Sequence, residues 1–102
     1  EKLIAPELMD LEILSAIRGW VLTGLWSASD GAILADRAEE IPILRYRHRV
    51  LLNRIWELRH TLTPYDASYV ALAEMLKVDL LTSDGKMARA SGSNCKIHLF
   101  SV

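Results

Sequence analysis

The sequence predicts an α/β fold, a doubly wound parallel sheet flanked by helices. Two observations carry this. Short apolar runs alternate with amphipathic stretches along the chain, and strands that alternate with helices are joined by crossovers, as a parallel sheet requires. One run, Val78-Asp79-Leu80-Leu81-Thr82, has the compact apolar character of a strand buried in such a sheet.

The elements follow in order. Leu3-Ile4-Ala5 reads as a short strand ended by Pro6. Proline is tolerated at the first helical position, where an N–H has no partner to lose, so a helix is expected from about Pro6 to Thr23. Gly24 is a plausible stop. A second helix is expected over Ser29–Glu40, a strand over Ile43-Leu44-Arg45-Tyr46, and a helix over Arg49–His60. Thr63-Pro64-Tyr65-Asp66 opens a strong helix running to about Lys77. Thr63 is its N-cap, Pro64 stands at N1 and Asp66 at N3, a capping-box-like start with Asp in place of Glu or Gln. After the Val78–Thr82 strand, a short helix is expected over Lys86–Ala90 and a closing strand over Lys96–Phe100.

Composition bounds the class. A chain of 102 residues, 51% apolar and 25% charged, fits one domain with a modest core and excludes wholesale disorder. No apolar run is long enough to span a bilayer, so no membrane partner is expected. The start, Glu1-Lys2-Leu3-Ile4-Ala5-Pro6-Glu7, lacks the charged region and apolar core of a signal peptide. The single Cys95 can form no intrachain disulfide, and no CxxC or HxxxH spacing occurs. A reducing, cytoplasmic setting fits.

A net charge of −1 excludes the generally basic character of a histone-like binder. That average hides a basic stretch: Arg45, Arg47, His48, Arg49, Arg54, Arg59 and His60, opposed only by Glu57. Arg45, Arg47, Arg49 and Arg54 are therefore candidates for binding a phosphate backbone. The competing reading is a solvated helix face, with an Arg or two paired to acids elsewhere.

Three carboxylates stand in informative places. On a helix turning about 100° per residue, Glu7, Asp10 and Arg18 share a polar sector. Glu12 instead has Leu8, Met9, Ser15 and Ala16 as neighbours. A charge on such a face needs a cation, a metal or several donors; otherwise Glu12 reaches water at the edge of the stripe. On the competing reading Asp66 only caps the helix and complements its dipole, yet Tyr69, Val70 and Ala73 place it beside a buried-looking face. Glu74 reads as surface charge on the other side. Asp84, before Gly85, suits a turn or an N-cap, but it also follows a parallel strand at the edge where such sheets bind ligands. Oxygen donors without a His or Cys pattern suit Mg²⁺ or Mn²⁺ rather than zinc. His48, His60 and His98 read as structural or surface groups.

Three segments carry a resemblance: Ala5-Pro6-Glu7-Leu8-Met9-Asp10-Leu11-Glu12-Ile13-Leu14-Ser15-Ala16, Leu62-Thr63-Pro64-Tyr65-Asp66-Ala67-Ser68-Tyr69-Val70-Ala71-Leu72-Ala73-Glu74 and Leu80-Leu81-Thr82-Ser83-Asp84. Together they resemble VapC toxins of the PIN-domain family, over nearly the whole chain and in the expected order. The resemblance implies a PIN-like doubly wound fold. It also implies a Mg²⁺- or Mn²⁺-dependent endoribonuclease, the toxin of a type II toxin–antitoxin system, usually a homodimer and neutralised by a VapB-type antitoxin. Glu12, Asp66 and Asp84 match three of the family's acidic metal-binding and catalytic positions. Thr63 and Thr82 match small polar positions beside them.

One departure stands against these matches. The family's chain opens with a strand that carries a further active-site Asp and lies in the middle of the sheet. Here that opening is absent, so residues 1–102 are expected to form a single PIN-like domain lacking its first, central strand and the helices that follow it. Proteolysis, an incomplete gene model or cloning could produce such a shortening. Two strand pairs would then expose apolar edges. A rival expectation is a catalytically inactive PIN fragment that binds an antitoxin or dimerises. Trp20, Trp26, Trp56, Leu22 and Leu25 could supply its apolar surface, although core packing is expected for at least half of them. A DNA-acting PIN-like nuclease is a third, less favoured reading.

Overall fold

Local chemistry sets most element boundaries. In the computed structural model, which describes residues 3–82, 85–89 and 92–99, strand β1 (Leu3–Pro6) leads into helix α1 (Leu8–Leu22). Pro6 is the last residue of the strand and is buried, so it does not open the helix as expected. A proline needs no ladder partner for an N–H it lacks, which suits a strand end as well as a helix start. α1 stops where Thr23 Oγ1 donates to the Gly19 carbonyl at 2.9 Å and Gly24 takes φ +80°, a left-handed conformation that glycine adopts without a Cβ clash.

Helix α2 (Ala28–Glu39) starts one residue earlier than its pattern suggests, because the Ser27 side chain accepts the Asp30 N–H at 3.0 Å and caps it. Strand β2 (Ile43–Tyr46) pairs with β1 in a two-stranded sheet.

The expected Arg49–His60 helix is shorter and broken. A 3₁₀ turn (His48–Leu51) passes into helix α3 (Leu52–Glu57), and hydrogen-bonded turns follow. The chain must leave helical geometry before Pro64, since proline disfavours it in the preceding residue, and Thr63 is extended with ψ 158°. Helix α4 (Pro64–Leu76) then starts as its sequence predicts. Thr63 Oγ1 accepts the Asp66 N–H at 3.3 Å. Lys77 ends the helix in the left-handed region with φ 56°.

Strand β3 is Leu80–Thr82, shorter than the predicted Val78–Thr82, because the Val78 N–H turns back to the Ala73 carbonyl at 3.0 Å. Helix α5 (Gly85–Arg89) and strand β4 (Ile97–Leu99) complete the order. The predicted ends of these two elements, Ala90 and Phe100, lie outside the described residues. β3 and β4 pair in parallel, with Leu80 opposite Ile97, Leu81 opposite His98 and Thr82 opposite Leu99. A crossover joins them through α5, as the α/β pattern requires. The strands form two two-stranded sheets, β1–β2 and β3–β4, the two strand pairs expected of a chain without the central strand. Leu81 is consequently 66% exposed rather than buried; so small a sheet is not covered on both faces.

The chain divides into two compact units, residues 1–45 and 46–102. In the first, α1 packs on α2 through Ile17 and Gly31. A Cβ on Gly31 would stand 2.5 Å from Val21 Cγ2, so glycine permits the close approach. The second holds the main core: Leu51, Ile55, Leu58 and Leu62 meet Ala67, Val70, Ala71 and Leu72 of α4, with Met87 of α5 beside them. Trp20, Trp26, Trp56, Leu22 and Leu25 are all exposed, which corrects the expectation that at least half would enter the core. Among the described residues of the first unit, α1 packs on α2 and on β1. Replacing Leu51, which is 2% exposed, by alanine should cost about 3 kcal/mol, read as a lowered urea midpoint with an unchanged slope.

Candidate active site

The site begins with the start of α4. Thr63 and Pro64 fix the first turn, and Asp66 stands at N3, half-buried, with its backbone N–H bonded to Thr63 Oγ1. A carboxylate there meets the positive end of the helix dipole. Val70 and Ala73, one and two turns on, are fully or almost fully buried, so Asp66 borders the core as its neighbours predicted. α4 packs on β3, whose last residue, Thr82, is half-buried. The described fold therefore places Asp66, Thr63 and Thr82 in the residue 46–102 unit. Asp84, two residues past Thr82, lies outside the described residues.

Glu12 belongs to α1, in the first unit, and is exposed. The sequence placed it against a mostly apolar or small-residue surface; Ser15 and Ala16 are themselves exposed, so that neighbourhood does not enclose it. These donors are carboxylate and hydroxyl oxygens, which suits a hard divalent cation. Among the described residues no group of three or more His, Cys, Asp or Glu side chains is gathered for a metal. The candidate set includes Asp84, so its assembly is not visible in those residues.

The basic stretch divides into two kinds of arginine. Arg45 Nε lies 2.8 and 2.7 Å from the two carboxylate oxygens of Asp10, and its Nη1 donates to the Ile43 carbonyl at 2.9 Å. Arg54 grips Glu74 through two bonds, Nε to Oε1 at 2.6 Å and Nη2 to Oε2 at 3.0 Å. Its Nη2 also donates to the Gly92 carbonyl at 2.6 Å, and its Nη1 reaches Glu57 at 3.3 Å. Arg45 and Arg54 are thus engaged inside the protein rather than offered to phosphate. Arg47 and Arg49 are exposed, and neither has an ion-pair partner among the described residues.

Glu74 corrects the sequence reading most clearly. Its residue type and position suggest surface charge, yet its side chain is only 10% exposed. At 100° per residue, positions 67, 70, 71 and 74 lie on one stripe, and the first three are core residues. That spacing was the available signal. Burial pushes the Glu74 carboxyl up, but the Arg54 hydrogen bonds, the Asn94 N–H and the Arg54 charge outweigh it, and the net pKa lies below the ordinary value. The same pairing with Glu74, partly opposed by burial, raises the Arg54 guanidinium further.

The class these features define is an α/β domain with hard oxygen donors at the start of a helix and the end of a parallel strand. Comparison with known proteins gives the family. The chain is 37% identical over 99 residues to Ribonuclease VapC12 of Mycobacterium tuberculosis, covering 97% of this chain and 77% of that protein. It is 38% identical over 97 residues to VapC ribonuclease Mb0985 of Mycobacterium bovis, with 95% and 76% covered. To Ribonuclease VapC1 of Mycobacterium tuberculosis it is 42% identical over 96 residues, with 93% and 72% covered. No protein-family model matches the chain. At these identities and coverages the chain belongs to the VapC ribonuclease family. Among the described residues no helix is long and apolar enough to cross a membrane.

Removing one partner of a fully buried ion pair typically costs about 3–5 kcal/mol, but this pair is part-buried and Arg54 would keep Glu57 and the Gly92 carbonyl. Glu74→Ala should therefore lower stability at pH 7 by about 2 kcal/mol in urea unfolding. Because the folded pKa of Glu74 is depressed, its contribution is present above the ordinary carboxylate value of 4.5 and is lost as pH falls through the lower folded value. The gap between wild type and Glu74→Ala should therefore narrow at acid pH.

Proposed function

We propose that this protein is the toxin of a type II toxin–antitoxin system, a Mg²⁺- or Mn²⁺-dependent endoribonuclease that cleaves RNA phosphodiesters in the cytoplasm. The observation that carries this reading is the match, over 93–97% of the chain, to proteins named VapC ribonucleases. The capped α4 start that presents Asp66 supports it.

In this proposal Glu12, Asp66 and Asp84 hold the cation and form the catalytic set, and Thr63 and Thr82 support them. When bound, a divalent ion supplies an activated water and neutralises charge developing on the phosphodiester. The chain's own contribution is placement. The Thr63 cap and Pro64 fix the backbone that carries Asp66, so its carboxylate need not be ordered when substrate arrives. Arg47 and Arg49, exposed and outside the internal pairs, are the phosphate-positioning residues.

The proposal includes a VapB-type antitoxin, a homodimer, and a single PIN-like domain whose complete form has a further strand with another acid ahead of Leu3. The pairing of the strands as two two-stranded sheets supports that last element, because such pairs leave edges for another strand. The intact mass of the native protein, set against its reading frame, tests it. The exposure of Trp20, Leu22, Leu25 and Trp26 favours a second reading, an inactive antitoxin-binding or dimerisation module. Light scattering with and without antitoxin, beside a nuclease assay in Mn²⁺, separates the two.

Asp66→Asn and Asp84→Asn should each reduce metal-dependent RNA cleavage to background, and excess EDTA should do the same to the wild type. Undiminished cleavage by both variants, or cleavage in EDTA, contradicts the proposal.

A further inference from the structure

We propose that Trp56 and Arg59 form a stacking platform for a base of single-stranded RNA. The inference rests on the ribonuclease reading for the identity of the polyanion.

Trp56 is next to last in α3 and 67% exposed, whereas its neighbour Ile55 is a core residue. Leaving an indole in water forgoes one of the largest apolar burials a side chain can offer, so the ring's placement invites a ligand. Arg59 covers part of it: the guanidinium carbon lies 4.6 Å from the ring centroid, within cation–π range. Arg59 Nη1 also donates to the Trp56 backbone carbonyl at 3.0 Å. The cation is therefore tied to the residue whose ring it covers, and the pair is ordered before any ligand arrives.

The surroundings select the ligand class. Arg47, Arg49 and His60 are exposed in the same stretch. Its one acid, Glu57, is paired with Arg54. A ligand with negative charge along its backbone and flat π faces satisfies both features, which describes single-stranded RNA. Its bases stack on aromatic rings and on guanidinium planes. A protein partner is the rival, because Val50 and Leu52 are also exposed. A second copy is disfavoured by charge, since a two-fold contact sets the same patch against itself and would bring Arg49 and Arg59 towards their own equivalents.

The test uses the full chain with cleavage silenced by EDTA. Binding of a labelled, mixed-sequence oligoribonucleotide of about a dozen nucleotides, roughly the reach of one single-strand site, is read by fluorescence anisotropy. Trp56→Ala should weaken binding roughly tenfold or more, and Trp56→Phe should recover most of that loss. The salt slope should not change with Trp56→Ala, because no charge is removed, whereas Arg49→Ala should reduce it by about one. An unchanged urea midpoint for Trp56→Ala separates the effect from unfolding.

Wild-type protein that does not bind the oligonucleotide, or Trp56→Ala that binds within twofold of wild type, overturns the proposal. So does a fall in particle mass for Trp56→Ala in light scattering, which would mark the ring as a protein contact. RNA binding that depends on Trp56, without any cleavage in Mn²⁺ by this chain or by a form extended ahead of Leu3, sinks the ribonuclease reading and leaves the platform standing. Cleavage and binding indifferent to Trp56 do the reverse.

Discussion

Glu74 is a carboxylate in the core stripe of α4, and the residue 46–102 unit is built around making that tolerable. A buried charge is costly unless it is paired and its remaining lone pairs are satisfied. Arg54 supplies the paired bonds from α3, and the Asn94 N–H supplies another from the segment before β4. Arg54 also holds the Gly92 carbonyl. Three stretches distant in sequence are thereby joined at one pair of side chains. Such a pair adds little net stability over a well-packed apolar substitute, but arrangements that separate Arg54 from Glu74 leave a part-buried charge without its partner. α4 is the element so held, and α4 carries Asp66.

Much of this was legible in the residues. The Thr63-Pro64 start of α4 was, because a cap and an N1 proline are local chemistry that tertiary context rarely overrides. The parallel β3–β4 pair joined through a helix was also legible, as were β2 and the glycine that follows α1. What failed was whatever depended on partners. Pro6 suits a strand end and a helix start equally, and only its burial in β1 decides. Glu74 looks like surface charge by residue type, and only its place among Ala67, Val70 and Ala71 marks it as part of the core stripe. The exposure of the three tryptophans depends on what other elements are there to cover them, which no local pattern contains. Asp84 and its neighbour Ser83 lie outside the described residues, so their reading still rests on sequence alone.

The same distinction sorts the basic stretch. As a string, its arginines are alike. In the fold, Arg45 and Arg54 neutralise acids, Arg59 lies over an exposed indole, and Arg47 and Arg49 face solvent. Charge that completes the fold is thus separated from charge available to a polyanion. A net charge of −1 conceals both uses. Family membership supplies the reaction class, and the proposed chemistry is assigned to the α4 start and to the arginines left outside the internal pairs.

The proposed activity depends on a cation held by the set that includes the start of α4 and the end of β3. Paramagnetic broadening tests it most directly: substoichiometric Mn²⁺ is added to isotope-labelled protein and the backbone amide signals are followed. Selective loss of the signals from Thr63 to Asp66, at Thr82 and around Glu12, reversed by EDTA, is expected, with those around Glu74 and Asn94 retained. Broadening centred on Glu74, or spread evenly over the exposed acids while the α4 start remains sharp, would contradict it.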